Sequence, residues 1–310
     1  MIDSENTDVC EPSVLIIGAG VTGTGIARDL ALRGIPSTVV ERTDLNAGAS
    51  GANHGLLHSG ARYIATDPHA ARECREENER LRRLMPHCIE PTGGLFVAVE
   101  GDDEAYAADF PGRCEAAGIP TDAVDIREAR EMAPCLGDRL TAAYRVADGT
   151  IDPFRISIDN LAQALSLGAA YLPHTRVAGF DRSGTRIRSV QLTTADGGTL
   201  TFRPAVVVNA AGAWAGEIAA LAGAPIKMVF SQGTLAVTAR RMAQPVINRL
   251  RPPGDGDILV PGGTVSILGT TSVRIETPDP VRPTATEVDR IIAEGAAMIP
   301  DLINARYIRA

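Results

Sequence analysis

The sequence predicts an α/β protein in which a parallel, doubly wound sheet is combined with an inserted antiparallel sheet. A glycine-rich turn joins a short apolar strand to a helix near the start of the chain, and a second strand follows that helix. The second half of the chain contains several short strands separated by turn residues, which is typical of antiparallel pairing. With 310 residues, the chain is long enough to form two domains.

The first elements predict a βαβ unit. "SVLIIGAG", which begins at Ser13, is a short apolar strand that ends in glycine. "TGTGIARDLALRG" then places its apolar residues at helical spacing, and Gly34 is a typical residue for the end of a helix. "STVVER" is the second strand. Because this order is completed within about 30 residues, it is typical of a Rossmann-like parallel sheet.

Later segments alternate between helices and short strands. "PHAARECREENERLRRLMPH" is a helix whose alternating charges are typical of a solvated face, and we assign it no chemistry. "DPFRISIDNLAQALSLGAA" predicts a helix that begins near Pro153. Short strands follow over 170–209, and an antiparallel sheet is expected from residue 223 onward, before a helix over 285–298.

Composition excludes several classes of partner. The net charge is −8 and the chain has a single lysine, so nucleic acid is not expected to bind. No apolar run approaches the roughly 20 residues that cross a bilayer. The five cysteines lack the paired spacing of metal sites, which predicts reduced thiols and no metal. Residues 1–12 do not resemble a secretory signal, so we expect a loose leader and a cytoplasmic location.

The glycine-rich turn has the G-x-G-x-x-G spacing of a nucleotide-binding loop. Gly18 allows the tight turn, Gly20 lets a pyrophosphate approach the backbone, and Gly23 lets helix and strand pack closely. Ala19 lies within the loop, and the amides at the helix start attract an anion. The alternative is close packing of strand and helix without a ligand.

An acidic residue supports the nucleotide interpretation. Glu41 follows Gly20 by 21 residues, at the end of the second strand, where its carboxylate can accept hydrogen bonds from an adenosine ribose. A 2′-phosphate would be repelled there, so NADP is disfavoured while FAD and NAD both remain open. Arg42 is expected to be free to lie along the adenine. These features predict an FAD/NAD(P)-binding type of sheet.

A second glycine-rich segment follows directly, "NAGASGANHGLLHSGARY". It resembles the signature of the FAD-dependent glycerol-3-phosphate dehydrogenases, within the D-amino-acid-oxidase-like flavoproteins, and most specifically their anaerobic catalytic-chain type. Further matches reach across almost the whole chain: "GAGVTGTGIARDLALRG", "GANHGLLHSGARY", "DGTIDPFR", "VVVNAAGAWA" and "ILGTTS".

The resemblance implies FAD as the cofactor and assigns residues to it. The adenine would meet Val177, and the strand-to-loop turn at Ala211 and Gly212 would approach FAD from the other side. Residues implied to lie near the phosphates or along the isoalloxazine ring are Ser50, Gly51, Asn53, His54, Gly55 and Leu57.

Arg62 and Tyr63 match the family's substrate-facing pair. A guanidinium can hold an anionic substrate and a phenol adds a directional hydrogen bond, although Arg62 could instead form a structural ion pair. His54 and His58 could transfer protons, attach a flavin covalently or make ordinary hydrogen bonds. No catalytic residue is assigned from the sequence.

The reaction implied by the resemblance is oxidation of sn-glycerol 3-phosphate to dihydroxyacetone phosphate, by hydride transfer to flavin N5. Electrons would then pass through iron-sulphur and membrane-anchor subunits towards quinone, and these subunits would hold the protein at the inner face of the cell membrane. Two alternatives remain open. One is a 2-hydroxy-acid oxidase or dehydrogenase of the 2-hydroxyglutarate type, and the other is an incomplete, non-catalytic nucleotide-binding fragment.

Two departures from the family pattern qualify the resemblance. Leu235 stands where the aerobic branch has a histidine, which favours the anaerobic type, while Gln232 replaces a lysine common to both branches. Family members also continue with a Ser-Gly-Val-Arg-Pro and a Gly-Gly-Lys segment, which predicts that this chain is truncated at its C-terminal end.

The domain boundaries follow from the same pattern. We expect a discontinuous FAD-binding domain over 10–92 and 146–222, and an antiparallel-sheet substrate or cap domain over 93–145 and 223–300. Residues 301–310 are expected to begin a return into the FAD-binding domain.

Overall fold

A computed structural model gives the structure of residues 9–10 and 13–310, so most of the predicted leader lies outside the described residues. Within this part of the chain there are seven α-helices. They are α1 (Val21–Leu32), α2 (Pro68–Leu84), α3 (Glu104–Ala116), α4 (Ile126–Met132), α5 (Pro153–Ser166), α6 (Ala215–Leu221) and α7 (Ala285–Ala296).

The same residues form strands that are mostly short. They are β1 (Val9–Cys10), β2 (Val14–Ile17), β3 (Ser37–Val40), β4 (Leu56–Leu57), β5 (Ile89–Glu90), β6 (Gly94–Val99), β7 (Thr121–Ala123), β8 (Leu140–Val146), β9 (Gly149–Ile151), β10 (Ala170–Leu172), β11 (Arg176–Ser183), β12 (Arg186–Thr193), β13 (Thr199–Phe202), β14 (Val206–Asn209), β15 (Phe230–Gln232), β16 (Leu235–Thr238), β17 (Val246–Arg249), β18 (Ile258–Gly262), β19 (Val265–Gly269), β20 (Val273–Ile275) and β21 (Tyr307–Arg309).

The chain divides into two compact units, of which the first combines the residues up to Ala52 with Pro153–Phe230. Its centre is a parallel sheet in the order β10-β3-β2-β14. Side chains of β2 alternate between two cores, because successive residues of a strand point to opposite faces. Ile16 packs towards α1 and α5, whereas Leu15 packs towards the antiparallel strands β11, β12 and β13.

The second unit contains Asn53–Asp152 and Ser231–Ala310. An eight-stranded sheet forms it, in the order β21-β16-β19-β18-β17-β6-β8-β7. Every neighbouring pair in this sheet is antiparallel except β17 and β6. Both faces of β6 are buried: Leu95 joins one core and Phe96 joins the other. A small antiparallel sheet, β4-β9-β5, completes this unit.

The predicted fold class is confirmed, since a parallel sheet in one unit accompanies a largely antiparallel sheet in the other. The unit boundaries lie elsewhere than expected. Residues 53–92 fall in the second unit because Ala61, Ile64 and Ala71 share a core with Phe96 and Phe110. The expected return of 301–310 into the first unit is also not observed, because β21 pairs with β16 in the eight-stranded sheet. Residues 146–152 and 223–230 likewise change sides of the predicted boundaries.

Helix length and hydropathy bear on membrane crossing. Over residues 13–310, no helix is at once long enough and apolar enough to cross a bilayer. The longest α-helix in this range, α2, is rich in charged residues.

Core packing in the second unit gives a first prediction. Leu259 on β18 is fully buried, so Leu259→Ala removes contacts and leaves a cavity. We expect the free energy of unfolding to fall by about 2–5 kcal/mol in urea titrations. Leu84→Ala is the matched control, because Leu84 is 54% exposed and should cost much less. Equal losses for the two variants would contradict this description of the core.

Candidate functional site

The nucleotide loop in the first unit is held by close backbone contacts. Gly18 has a φ of +106°, and a Cβ there would collide with the carbonyl of Ala210. A Cβ at Gly23 would collide in turn with the carbonyl oxygen of Gly18. Glycine is therefore required at both positions, and the first turn of α1 lies directly against the end of β2.

The start of α1 is suited to an anion. Gly20 is the N-cap residue and has no side chain to satisfy the amides of the first turn. Ser50, from the second glycine-rich segment, reaches this point and accepts a hydrogen bond from Val21 N–H at 3.0 Å. A Cβ at Gly20 would lie 2.9 Å from the Ser50 hydroxyl oxygen. Exposed amides, a small residue and a hydroxyl together fit a pyrophosphate.

Glu41 lies beside this loop, as a ribose-binding acid must. Its carboxylate accepts hydrogen bonds from Ala19 N–H at 2.9 Å, from Thr43 N–H at 2.8 Å and from the Thr43 hydroxyl at 3.1 Å. A carboxylate offers about four acceptor positions. The arrangement therefore fixes the acid at the loop and leaves acceptor capacity for a ribose hydroxyl.

The expectation that Arg42 is free to lie along an adenine needs correction. The Arg42 guanidinium carbon lies 4.5 Å from the centre of the Trp214 ring, a cation–π contact. Trp214 also packs against Gly48, where an added Cβ would approach its ring to 3.2 Å. A partner far away in sequence thus occupies one face of the guanidinium.

The remaining predicted cofactor residues of the first unit lie at the carboxyl end of the parallel strands. Ala211 follows β14 and lies against Gly18, and Gly212 has a φ of +55°. Val177 is buried in β11, close to Thr175, whose N–H donates to the Glu41 carbonyl at 2.7 Å. Because the carboxyl ends of parallel strands share one edge, β2, β3 and β14 bring these segments together. Gly51 packs closely on the Asn46 carbonyl in the loop before Ser50.

In the second unit, the segment 53–63 is folded by local hydrogen bonds. The Asn53 side chain accepts from Gly55 N–H at 2.8 Å, and His54 Nδ1 accepts from Leu56 N–H at 3.2 Å. Leu57 is buried in β4, which pairs with β9. Because Nδ1 of His54 is an acceptor, the proton of the neutral ring lies on Nε2, and this side chain presents a donor there.

The histidines of this segment are neutral. Burial, followed by the charges of His58 and Arg62, lowers the pKa of His54 to about 3. Burial, followed by the charge of Arg62, lowers the pKa of His58 to about 4. The His58 ring lies 5.3 Å from the Tyr63 ring, and burial raises the pKa of Tyr63. At neutral pH this group consists of two neutral imidazoles and a neutral phenol.

Arg62 combines an ion pair with a spare donor. Its Nη2 donates to Asp257 Oδ2 and to the Gly254 carbonyl, each at 3.3 Å. The side chain is 11% exposed, and within the described part of the chain its buried Nη1 has no hydrogen-bond partner. A buried guanidinium nitrogen without a partner is costly unless a ligand satisfies it. The ion-pair alternative and an anion-binding role are thus both compatible with the geometry.

A buried polar network behind this segment was missed from the sequence. Asp148 is 2% exposed and accepts from Ser59 N–H at 2.7 Å and from the Asn248 side chain at 3.0 Å. Burial raises the pKa of the Asp148 carboxyl, and these hydrogen bonds oppose the rise. Asp148 stands in "DGTIDPFR", but its three-dimensional partners are far away in sequence.

Helix α2 also contributes to this network, although we predicted only a solvated face. Asn78 is buried and donates to the carbonyls of Leu57, His58 and Ala147. Arg82 donates to the Asn78 side chain and to the Asp148 carbonyl. The sequence feature that could have indicated this role is Asn78, an uncharged amide within a run of charged residues.

Comparison with known proteins agrees with this description. The parallel sheet, the glycine loop and the acid after the second strand define a dinucleotide-binding fold. Residues 13–310 match the family model described as FAD dependent oxidoreductase, and the chain belongs to that family. The expected flavoprotein family and its cofactor, FAD, are confirmed.

Individual relatives are similar over nearly the whole chain. The A subunit of the anaerobic glycerol-3-phosphate dehydrogenase of Escherichia coli (strain K12) is 46% identical, covering 99% of this chain and 56% of its own. The A1 subunit of the Haloferax volcanii enzyme of the same name is 42% identical, covering 96% and 53%. The chain thus spans about half the length of these curated relatives. An FAD-bound L-alpha-glycerophosphate oxidase structure from Mycoplasma pneumoniae shares the fold, with a TM-score of 0.82, 20% identity and coverage of 95% and 81%.

The low pKa values of the histidines predict a pH dependence of stability. Both folded-state values lie below the ordinary 6.5, so the unfolded chain binds protons that the folded chain does not. Their contribution to the free energy of unfolding is present above pH 6.5 and decreases as the pH falls to about 4 for His58 and to about 3 for His54. The measurement is urea unfolding at several pH values for the wild type and for His54→Gln/His58→Gln. We expect the slope between pH 6.5 and 5 to be smaller in the variant, and equal slopes would contradict the assignment.

Proposed function

We propose that this chain oxidises sn-glycerol 3-phosphate to dihydroxyacetone phosphate with FAD, by hydride transfer to flavin N5, and that the electrons pass on towards quinone. One observation carries the proposal: 46% identity, over 99% of this chain, to a protein named as the A subunit of an anaerobic glycerol-3-phosphate dehydrogenase. The loop geometry of the first unit and the Arg62 environment of the second support it.

The first unit binds the adenosine and pyrophosphate part of FAD in this proposal. The amides at the start of α1 and the Ser50 hydroxyl bind the pyrophosphate, while Glu41 accepts hydrogen bonds from the ribose. Val177, Ala211 and Gly212 line the same nucleotide. When bound, FAD supplies the hydride acceptor.

The second unit supplies the groups that meet flavin and substrate. Asn53, His54, Gly55 and Leu57 adjoin the flavin, and Arg62 with Tyr63 holds the substrate. Arg62 can offer its unpartnered Nη1 to an anionic group, and the neutral Tyr63 phenol can donate a directional hydrogen bond. The low pKa values of His54 and His58 make both poor proton acceptors near neutral pH and favour hydrogen-bonding roles.

Partners and location belong to the same proposal. The names of the relatives describe one component of a larger enzyme, which supports the presence of other subunits. We propose that these include iron-sulphur and membrane-anchor subunits, and that they hold an otherwise cytoplasmic protein at the inner face of the cell membrane.

The cofactor assignment predicts a specific defect. Glu41→Gln keeps the side chain's shape but removes its charge, which weakens hydrogen bonds to the ribose and to the loop. We expect the dissociation constant for FAD to rise by about tenfold or more, measured by equilibrium dialysis. Glu217→Gln on α6 is the control, because Glu217 is exposed and should bind FAD as the wild type does. An unchanged FAD affinity in Glu41→Gln would count against the ribose contact.

The substrate assignment is tested by anaerobic mixing. The FAD-loaded chain is mixed with glycerol 3-phosphate or with 2-hydroxyglutarate, and loss of the flavin absorption band is followed. We expect faster reduction by glycerol 3-phosphate. 2-Hydroxyglutarate is the competing substrate because the Arg62 guanidinium also suits a carboxylate. Faster reduction by 2-hydroxyglutarate would reject the proposal. A chain that takes up no FAD would instead support a non-catalytic nucleotide-binding role.

A further inference from the structure

We propose that Asp257 is a positioning residue: it fixes the Arg62 guanidinium through Nη2, so that Nη1 is directed at the anionic group of the substrate. This inference rests on the proposed function, because it assumes that Arg62 binds the substrate. Asp257 is 195 residues away from Arg62 in sequence, and its side chain is fully buried.

The carboxylate of Asp257 is surrounded by donors. Oδ1 accepts from Arg251 Nε at 2.9 Å, and Arg251 Nη2 lies 2.8 Å away. Oδ2 accepts from Gly254 N–H at 2.6 Å and from Arg62 Nη2 at 3.3 Å. A buried carboxylate with this many donors is held in one orientation, so it can orient the groups that bind to it.

The positive charge of Arg62 is only partly offset by Asp257 in this arrangement. Arg251 approaches the shared carboxylate more closely than Arg62 does, at 2.8 Å compared with 3.3 Å. The nearest carboxylate is thus divided between two guanidinium groups. An incoming anion can therefore still be attracted to Arg62 without first breaking a strong ion pair.

The position of Arg62 is also restrained from behind. Arg251 donates to Glu294 on α7 at 2.8 Å, and Glu294 accepts from Arg249, which is bound to Asp102. Each charged group in this series of ion pairs has a neighbour of opposite charge. The restraint reaches Arg62 through Asp257 and the Gly254 carbonyl, and Nη1 stays a buried donor without a partner among the described residues.

The decisive variant is Asp257→Asn, because two roles of the carboxylate predict opposite results. If Asp257 only neutralises charge, its removal makes the surroundings of Arg62 more positive, and anions bind more tightly. If it positions Arg62, anions bind more weakly despite the gain in positive charge. We expect the affinity of the FAD-loaded chain for glycerol 3-phosphate and for inorganic phosphate to fall at least about tenfold in calorimetric titrations. Unchanged or tighter binding overturns the inference.

A charge-matched control separates positioning from a general charge effect. Glu294→Gln also removes one negative charge, but one ion pair further from Arg62, because the Glu294 side chain binds Arg251 and Arg249. We expect its anion affinity to stay within about threefold of the wild type. A loss as large as that of Asp257→Asn would show a general charge effect and overturn the inference. In the double variant Arg62→Gln/Asp257→Asn, affinity should equal that of Arg62→Gln alone, because Asp257 acts through Arg62.

A second variant keeps the inference testable if Asp257→Asn does not fold. In Arg62→Lys, Asp257 attracts the single ammonium, and the second nitrogen that the guanidinium holds in a fixed direction is lost, so anion affinity should fall towards that of Arg62→Gln. Wild-type affinity in Arg62→Lys would overturn the inference. If Arg62→Gln itself binds anions normally, the proposed substrate role of Arg62 fails. If only Asp257→Asn binds normally, the proposed function stands and the positioning role fails.

Discussion

The close approach of α1 to the end of β2 is the constraint on which the first unit depends. Side-chain atoms are excluded where Gly23 meets the Gly18 carbonyl and where Gly18 meets Ala210. These contacts bring the first-turn amides of α1 to the edge of the sheet where β2, β3 and β14 end. Because Glu41 follows β3 and Ala211 follows β14, the residues suited to a nucleotide converge there as a consequence of parallel topology.

In the second unit, buried carboxylates have the organising role that glycines have in the first. Asp148 fixes the backbone at Ser59, and Asp257 fixes the Arg62 side chain. Burying a carboxylate costs free energy, and here several donors offset that cost for each acid. Neutral His58 directly precedes Ser59, and Arg62 is the cation that this segment presents.

Sequence reasoning succeeded where the determining contacts are local. The βαβ unit lies within a short stretch, and its hydrophobic period and glycine spacing predict β2, α1 and β3. The ribose contact of Glu41 stays a prediction. Sequence reasoning failed where contacts join distant segments. The unit boundary at Ala52 depends on the packing of Ala61, Ile64 and Ala71 against Phe96 and Phe110, and Arg42 meets Trp214 only after folding. The partners of Arg62 and Ser59 could not be predicted for the same reason.

The central claim is that the start of α1 binds the pyrophosphate of FAD while Glu41 binds the adenosine ribose. The most direct measurement is an experimental structure of this chain with FAD bound. We expect pyrophosphate oxygens within about 2.7–3.2 Å of amide nitrogens in the first turn of α1, and a ribose hydroxyl at the same distance from the Glu41 carboxylate. A cofactor whose phosphates lie away from α1, or whose ribose does not reach Glu41, would contradict the account.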